Sequence, residues 1–364
     1  MKILVALSGG IDSSVVACML KEQGHEVIGI RFTLWSDPLA PAIAQLLPNK
    51  CCNAQTSARC AHVANMLGIP LHVIDMEDEF KRNVVDPFLS GYARGETPNP
   101  CIACNKQIKF GMLFRYMERF GCDMIATGHY ARIGKEQMPG DRERIVLLES
   151  SDLRKDQSYY LYGLSQEQLP KILFPLGHMR KEDVFALAKT YGIPFDEGYR
   201  ESQDLCFFPE KEPTAFIKRH IAHAMKPGHI IRRDGTIVGS HEGLPLYTVG
   251  QRRGLGIGGL SIPLEVVGKD IVKNELIVAE RGSELIDSVT LRELNWISWR
   301  PREGVAETFE CRTRSLTEKL TGTMIVEGET GVFTFATRRP PLTPGQSLVL
   351  YRGPEIVGGG IMNG

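Results

Sequence analysis

Residues 3–14 constrain this chain more than any other stretch. Ile3-Leu4-Val5-Ala6-Leu7 is short, apolar and partly β-branched, the pattern of a buried strand. Ser8-Gly9-Gly10-Ile11-Asp12-Ser13-Ser14 follows, and then Val15, Val16, Ala17, Met19 and Leu20 recur at helical spacing up to a helix stop at Gly24. A strand, a glycine turn and a helix in that order aim backbone N–H groups and a helix dipole at one point. Such a point binds an anion, most often a phosphate. A Walker A loop needs Lys after its last glycine, where this chain has Ile11-Asp12. A dinucleotide fingerprint needs glycines more widely spaced. A plain turn capped by Asp12 or Ser13 is the bland alternative, but two glycines among three serines exceed what a cap requires.

At 364 residues the chain is too long for one core, so two or three domains are expected. Its 43% hydrophobic and 24% charged content is that of a soluble globular protein. No basic segment precedes a long apolar run and no run reaches membrane-spanning length, so a cytoplasmic protein with no membrane partner is expected. Formal charge is zero, so any nucleic-acid contact must rest on local patches. Nine cysteines are odd in number and too sparse for a disulfide scaffold. Core packing, metal or cluster ligation, or catalysis remain as their uses.

Up to about residue 200, strand-like runs at 27–32, 71–74 and 124–127 alternate with helical patterns around 56–67, 78–94 and 105–120. Leu67-Gly68-Ile69-Pro70 and Tyr191-Gly192-Ile193-Pro194 each read as a helix stop followed by extended chain. The alternation predicts an α/β fold, a parallel sheet with helices on both faces and ligands at the carboxyl ends of its strands. Ser36 to Lys50 reads as a mobile excursion over the nucleotide site. Beyond about 205 the pattern is short strands and turns, including a hairpin of 228–231 and 236–239 around Asp234-Gly235. The expected division is 1–204, 205–275 and 276–364, two small β domains following the α/β domain.

Thr97-Pro98-Asn99-Pro100-Cys101-Ile102-Ala103-Cys104-Asn105-Lys106 stands out next. Its prolines force a rigid, extended approach, and Asn105-Lys106 is expected to open a helix. Cys104 would then lie by a helix N-terminus and Lys106, where a thiolate is stabilised. Cys206 falls between the polar run Glu201-Ser202-Gln203-Asp204 and Phe207-Phe208. Cys51 and Cys52 are adjacent with Cys60 close behind, while Cys18, Cys122 and Cys311 sit in apolar contexts as buried small hydrophobes.

The SGGIDS stretch resembles the pyrophosphate loop of the N-type ATP pyrophosphatases, which split ATP between its first two phosphates and adenylate a substrate. Taken with Ala126-Thr127-Gly128-His129-Tyr130, Lys155-Asp156-Gln157-Ser158-Tyr159-Tyr160 and Thr248-Val249-Gly250-Gln251-Arg252-Arg253-Gly254-Leu255-Gly256-Ile257, it is similar to the bacterial tRNA-specific 2-thiouridylases, the MnmA/TrmU type. The similarity continues through Thr343-Pro344-Gly345-Gln346 and Gly358-Gly359-Gly360, essentially the whole chain. It implies a Rossmann-like sheet of the adenine nucleotide alpha hydrolase type and a barrel-like last domain. It implies adenylation of the C2 oxygen of a wobble uridine in tRNAs for Lys, Glu and Gln, then sulfur delivery from a persulfide. AMP and pyrophosphate leave, and a cysteine desulfurase or a sulfur-relay protein supplies the sulfur.

Carried over residue by residue, the resemblance places ATP at Ala6, Leu7, Ser8, Gly9, Gly10, Ile11, Asp12, Ser13, Phe32 and Gly128, with Asp12 helping to hold Mg²⁺. Cys104 matches the nucleophile and Cys206 the persulfide carrier. Asn99, Pro100 and Cys101 match residues that meet the target base; His129, Lys155, Asp156, Gln157, Arg314, Ser315 and Gln346 match tRNA contacts. Tyr159, Tyr160 and Tyr162 would suit base stacking, and Arg252-Arg253, between glycines, a phosphate.

One departure matters. The family pattern has Asp where this chain has Cys101, which removes a carboxylate and creates a C-x-x-C pair with Cys104. Two routes therefore stand open: a persulfide on Cys206, or a [4Fe–4S] cluster held by Cys101, Cys104 and Cys206. A structural zinc lacks a fourth ligand. Two rival readings are an amidotransferase-type synthetase, which leaves Cys104 and Cys206 unused, and an RNA-binding module without chemistry. Cys104 and Cys206 are expected to approach only when tRNA orders 200–208.

Overall fold

In the computed structural model, whose described residues are 1–41, 54–138, 142–195, 205–258 and 262–363, the opening strand, turn and helix form as the sequence predicts. β1 (Lys2–Ala6) leads into α1 (Ile11–Glu22), and Gly24 at φ +81 turns the chain back. There follow β2 (Glu26–Thr33), α2 (Ala54–Leu67), β3 (Leu71–Asp75), α3 (77–93), α4 (100–119) and β4 (Met124–Ala126). A hairpin of β5 (Ala131–Met138) and β6 (Arg142–Glu149) then leaves the layer. β7 (Ile172–Leu173) returns to it, and α5 (Lys181–Thr190) packs on top. The sheet runs β3-β2-β1-β4-β7, every neighbour parallel, with Ile3 paired to Val27 on one side and Met124 on the other.

The unbroken apolar run of β1 is explained by burial on both faces. Ile3, Val5 and Leu7 pack with Val15 and Val16 of α1, Val63 of α2 and Val184 of α5. Leu4 points the other way, with Ile28 and Ile30, onto Leu113 and Met117 of α4. The helix stops are as expected: Gly68 is at φ +61 and Gly192 at φ +68, each followed by an amide that returns to the last turn. α3 and α4 each contain a π-helical turn, over Lys81–Val85 and Cys104–Phe110.

The remaining chain is β. α6 (Thr214–His220) precedes β8 (Gly228–Arg232), β9 (Ile237–His241), β10 (Leu264–Asp270) and β11 (Glu275–Glu280), a sheet ordered β10-β11-β8-β9. Its expected hairpin turns at Gly235, φ +85. β12 (Ile286–Trp296), β13 (Glu307–Arg312), β14 (Leu320–Glu327), β15 (Thr330–Arg339), β16 (Ser347–Arg352) and β17 (Glu355–Met362) close into a barrel through the β12–β17 pairing. The hairpin β5–β6 extends this barrel sheet, Ile356 pairing with Leu147, although it lies within the first part of the chain. Buried charges seal that joint: Arg312 Nη1 lies 3.0 Å from Glu149 and 3.1 Å from Asp156, and Lys319 Nζ 2.8 Å from Glu149.

All three parts meet on the loop before α4. Lys269 Nζ donates to Gly95 O at 2.8 Å, Arg292 Nη2 to Glu96 at 3.1 Å and Gln346 Nε2 to Thr97 O at 2.6 Å. The Thr97 hydroxyl meets that of Thr248 at 3.2 Å. Among the described residues no helix is long and apolar enough to cross a membrane.

Candidate active site

The phosphate loop sits at the carboxyl end of β1, at the sheet's centre. Gly9 is at φ +82, and a Cβ there would fall 2.4 Å from Thr56 O, so only glycine fits. Gly10 caps α1 in an extended conformation. The serines hold the turn: Ser13 Oγ accepts from Ser8 N at 3.2 Å and donates to Gly10 O at 3.2 Å, and Ser14 Oγ donates to Gly10 O at 3.0 Å. Leu7 and Ile11 are buried in the core, so in this loop they present backbone rather than side chain. Gly128 is pressed against the start of α1; a Cβ would lie 2.9 Å from Ser13 N.

Three cations around this loop escaped the sequence reading. Arg31 Nη1 donates to Ser8 O at 3.0 Å, and Arg59 Nη1 to Gly9 O at 2.6 Å. Both arginines are buried, and by occupying the loop's carbonyls they turn its N–H groups outward. Lys181, also buried, puts Nζ 2.6 Å from Asp12 Oδ1, which accepts from Tyr130 OH at 3.1 Å as well. The signal for Arg31 was there, a charge inside an apolar strand. Arg59 and Lys181 lie on ordinary-looking helices, and only the topology brings them to the loop.

Cys104 and Cys206 both belong to one aromatic cluster away from the loop. Cys104 is buried in an aromatic cluster with Phe80, Phe88, Phe207 and Phe216, and Cys206 packs against the same cluster. Both are present as thiols. Residues 205–208 lie on this cluster in the chain by itself; 196–204 lie outside the described residues. Phe32, at the end of β2, packs both on this cluster and on the layer between the sheet and α4.

The expected helix start at Asn105-Lys106 is corrected. The helix opens at Pro100, with Asn99 Oδ1 accepting from Cys101 N at 3.2 Å, because a proline suits a first helical position. Cys104 therefore lies one turn inside, and Cys101 is the exposed thiol of the first turn. The [4Fe–4S] alternative does not fit: among the described residues no three His, Cys, Asp or Glu are grouped to hold a metal ion. Cys101 faces solvent while Cys104 is packed among rings.

Of the expected tRNA contacts, several share one rim. The Tyr160 hydroxyl lies by the Ser315 side chain, and burial, with Cys101 nearby, pushes its pKa up. Arg314 is exposed and held by Thr343 Oγ1 at 2.8 Å, and Gln346 is bonded to the loop before α4. Lys155 and Gln157 are half-buried, the latter accepting from Tyr130 N at 3.0 Å. Asp156 is different: it is 2% exposed and bonded to Ser150, Ser158 and Arg312, as a strut of the barrel joint. Tyr159 and Tyr162 are likewise buried, each bonded to Ser347, while Tyr160 is half-buried.

His129 is neutral: burial, then Lys109, drive its pKa well below the ordinary value. Lys109 Nζ lies 3.4 Å from Nε2, so that nitrogen accepts, and Nδ1–H is assigned as the donor to Thr127 Oγ1 at 2.8 Å. Arg252 is bound to Glu265 at 3.1 Å, and both it and Arg253 are exposed. Cys18, Cys122 and Cys311 are buried as expected, and burial raises their pKa values. Of the 36–50 excursion, residues 42–50 lie outside the described residues, as do Cys51 and Cys52.

Three family models match in succession: a tRNA methyl transferase HUP domain over 1–210, a tRNA methyl transferase PRC-barrel domain over 214–280, and an aminomethyltransferase beta-barrel domain over 286–362. The tRNA-specific 2-thiouridylase MnmA of Symbiobacterium thermophilum is 40% identical over 364 residues, 99% of this chain and 91% of that protein. Its counterpart from Geobacter metallireducens is 40% identical over 359 residues, 99% of this chain and 96% of that one. The solved U34-tRNA thiolase NcsA from Methanococcus maripaludis, with its [4Fe-4S] cluster, covers 57% of this chain and 61% of its own at 18% identity. Its TM-score of 0.34 is too low to bear on this chain's chemistry. A single family spans the chain from end to end, and this protein belongs to it: the tRNA-specific 2-thiouridylases.

Proposed function

We propose that the chain is an ATP-dependent tRNA 2-thiouridylase acting on the wobble uridine of tRNAs for Lys, Glu and Gln. The observation that carries the reading is that one chain holds both a pyrophosphate-type loop braced by buried arginines and two thiols on one aromatic cluster. Methyl transfer, the name attached to two of the matched models, needs neither.

The loop's N–H groups and the start of α1 bind the phosphates, and Gly128, lacking a Cβ, lets its strand end pack directly on Asp12 and Ser13. Mg²⁺ would take its ligands chiefly from phosphate and water, with Asp12 beside it still bonded to Lys181 and Tyr130, and would neutralise the leaving pyrophosphate. The C2 oxygen of uridine attacks the α-phosphorus, pyrophosphate departs, and C2 carries an adenylate. Cys206 arrives as a persulfide, loaded by a cysteine desulfurase or a relay protein. The Cys104 thiolate attacks the inner sulfur, forming the Cys104–Cys206 disulfide and releasing hydrosulfide. Hydrosulfide adds to C2, and AMP leaves with the former carbonyl oxygen. A cellular thiol then reduces the disulfide. The aromatic walls keep water from the hydrosulfide and the adenylate.

An anticodon uridine is already largely unpaired, so placing it beside Asn99, Pro100 and Cys101 costs at most a few kcal/mol. Tyr160, Ser315, Arg314 and Gln346 line the same approach, with His129, Lys155 and Gln157 towards the nucleotide end. The test is mass spectrometry of tRNA after incubation with ATP, Mg²⁺ and a desulfurase. Replacement of one oxygen by sulfur at the wobble uridine, with one AMP formed, is the expected result. AMP formation without sulfur in tRNA would defeat the reading.

A further inference from the structure

We infer that Asp37 is a positioning residue for Cys206: it fixes the turn 205–210 through Arg219 and through the backbone of Phe207. The inference rests on the sulfur-transfer reading above.

Asp37 lies in Trp35-Ser36-Asp37-Pro38-Leu39, a stretch whose sequence gives no reason for an inward carboxylate. Its side chain is nevertheless 0% exposed. Oδ2 accepts from Arg219 Nε at 3.0 Å and Nη2 at 2.5 Å; Oδ1 meets His220 Nε2 at 2.7 Å and accepts from Leu39 N at 2.9 Å. Its own amide donates to Phe207 O at 2.9 Å, one residue past Cys206. Arg219 completes the tie by bonding Glu210 through Nη1 at 2.5 Å and Nη2 at 3.1 Å. Trp35 closes the assembly, its ring 6.5 Å from Phe207, 6.3 Å from Phe216 and 5.9 Å from His220.

Stability alone does not call for this arrangement. Burying an ion pair costs as much solvation as it returns, and apolar residues of the same volume usually do as well. What charged, directional bonds add is geometry. Asp37 and Glu210 grip one guanidinium, and Asp37 also grips the Phe207 peptide, so both ends of the turn after Cys206 are held at fixed bond lengths. That sets the bearing of the Cys206 sulfur towards Cys104 on the shared cluster. Attack on a persulfide requires the three sulfurs nearly in line, so a small rotation of the turn matters.

The test separates the half-reactions in the full-length enzyme. Adenylation is followed as tRNA-dependent AMP formation, and transfer as single-turnover loss of persulfide sulfur to tRNA from enzyme preloaded at Cys206. Asp37→Leu, which fills the space without charge, is expected to slow transfer by roughly 10²-fold, as for a misplacement of about 1 Å. Asp37→Asn and Arg219→Lys each keep part of the network and are expected to restore roughly a tenth of the wild-type rate, with adenylation within about twofold throughout. Asp37→Leu combined with Arg219→Leu is expected to do no further harm, because the two act as one unit. Transfer at the wild-type rate in Asp37→Leu, or equal losses in both half-reactions across the series, would overturn the inference while leaving the sulfur-transfer reading intact. Wild-type enzyme that adenylates tRNA but never passes it sulfur would overturn both.

Discussion

The ATP end and the thiol end of this molecule are built on opposite plans. The phosphate loop is local: consecutive residues 8–14 make the turn, supply the N–H groups and start the helix. Distant residues only brace it, Arg31 and Arg59 from behind and Lys181 through Asp12. The thiol end is assembled from afar. Cys104 comes from α4, Cys206 from the turn before α6, and the walls from α3, α6 and the stretch after β2. A local site tolerates loss of its braces and fails when its backbone is altered. An assembled site fails when any one contributor is removed or displaced.

The largest expected effect is at the thiols. Cys104→Ser and Cys206→Ser should each lower tRNA thiolation by roughly 10³-fold or more while tRNA-dependent AMP formation continues, measured side by side. Parallel loss of AMP would mean the two ends are not separable. Next comes Gly9→Ala, which puts a Cβ into Thr56 O and strains a φ of +82. It should cut ATP turnover by roughly 10²-fold, with the persulfide on Cys206 still formed.

Arg59→Ala should be milder. It leaves Gly9 O and Pro194 O without their donor at a cost of about 1–3 kcal/mol, seen as a higher KM for ATP more than a lower kcat. A loss confined to kcat would show that Arg59 acts on the reaction and not on the loop.

Acid provides a smaller lever. Burial would raise the Asp37 carboxyl, but Arg219, His220 and the Leu39 amide outweigh it and hold it below its ordinary value. Its stabilising contribution is therefore full above the unfolded carboxyl pKa of about 3.9 and is lost as pH falls through the folded value. The gap in melting temperature between wild type and Asp37→Asn should be widest above about pH 5 and close towards about pH 3. The smallest effect is expected at Cys101. With no group of three metal-ligating side chains formed among the described residues, Cys101→Ala should keep thiolation within about threefold, and Cys101→Asp likewise.

The same contrast explains what was legible in the sequence. The loop at 8–14, the central strands and the glycine helix stops follow from short-range rules, and they stand where those rules put them. The barrel joint does not follow: nothing in 131–149 announces a partner two hundred residues downstream, and nothing around Asp156 announces Arg312 beside it. Pro100 signals extended chain by its effect on the residue before it and a helix opening by its own fixed φ; the second property wins here, so Cys104 lies a turn inside the helix and not at its end. Arg59, Lys181 and Asp37 were missed because their meaning lies entirely in what the fold brings next to them.

The central claim is that ATP chemistry and the Cys104–Cys206 thiols suffice for sulfur transfer. It is tested most directly by a single turnover under anaerobic conditions with an iron chelator, using enzyme carrying a persulfide on Cys206, tRNA, ATP and Mg²⁺. One 2-thiouridine and one AMP per persulfide, with a Cys104–Cys206 disulfide left on the enzyme, is the expected result. Thiolation that appears only after iron and sulfide are supplied, or that proceeds in Cys104→Ser, would contradict it.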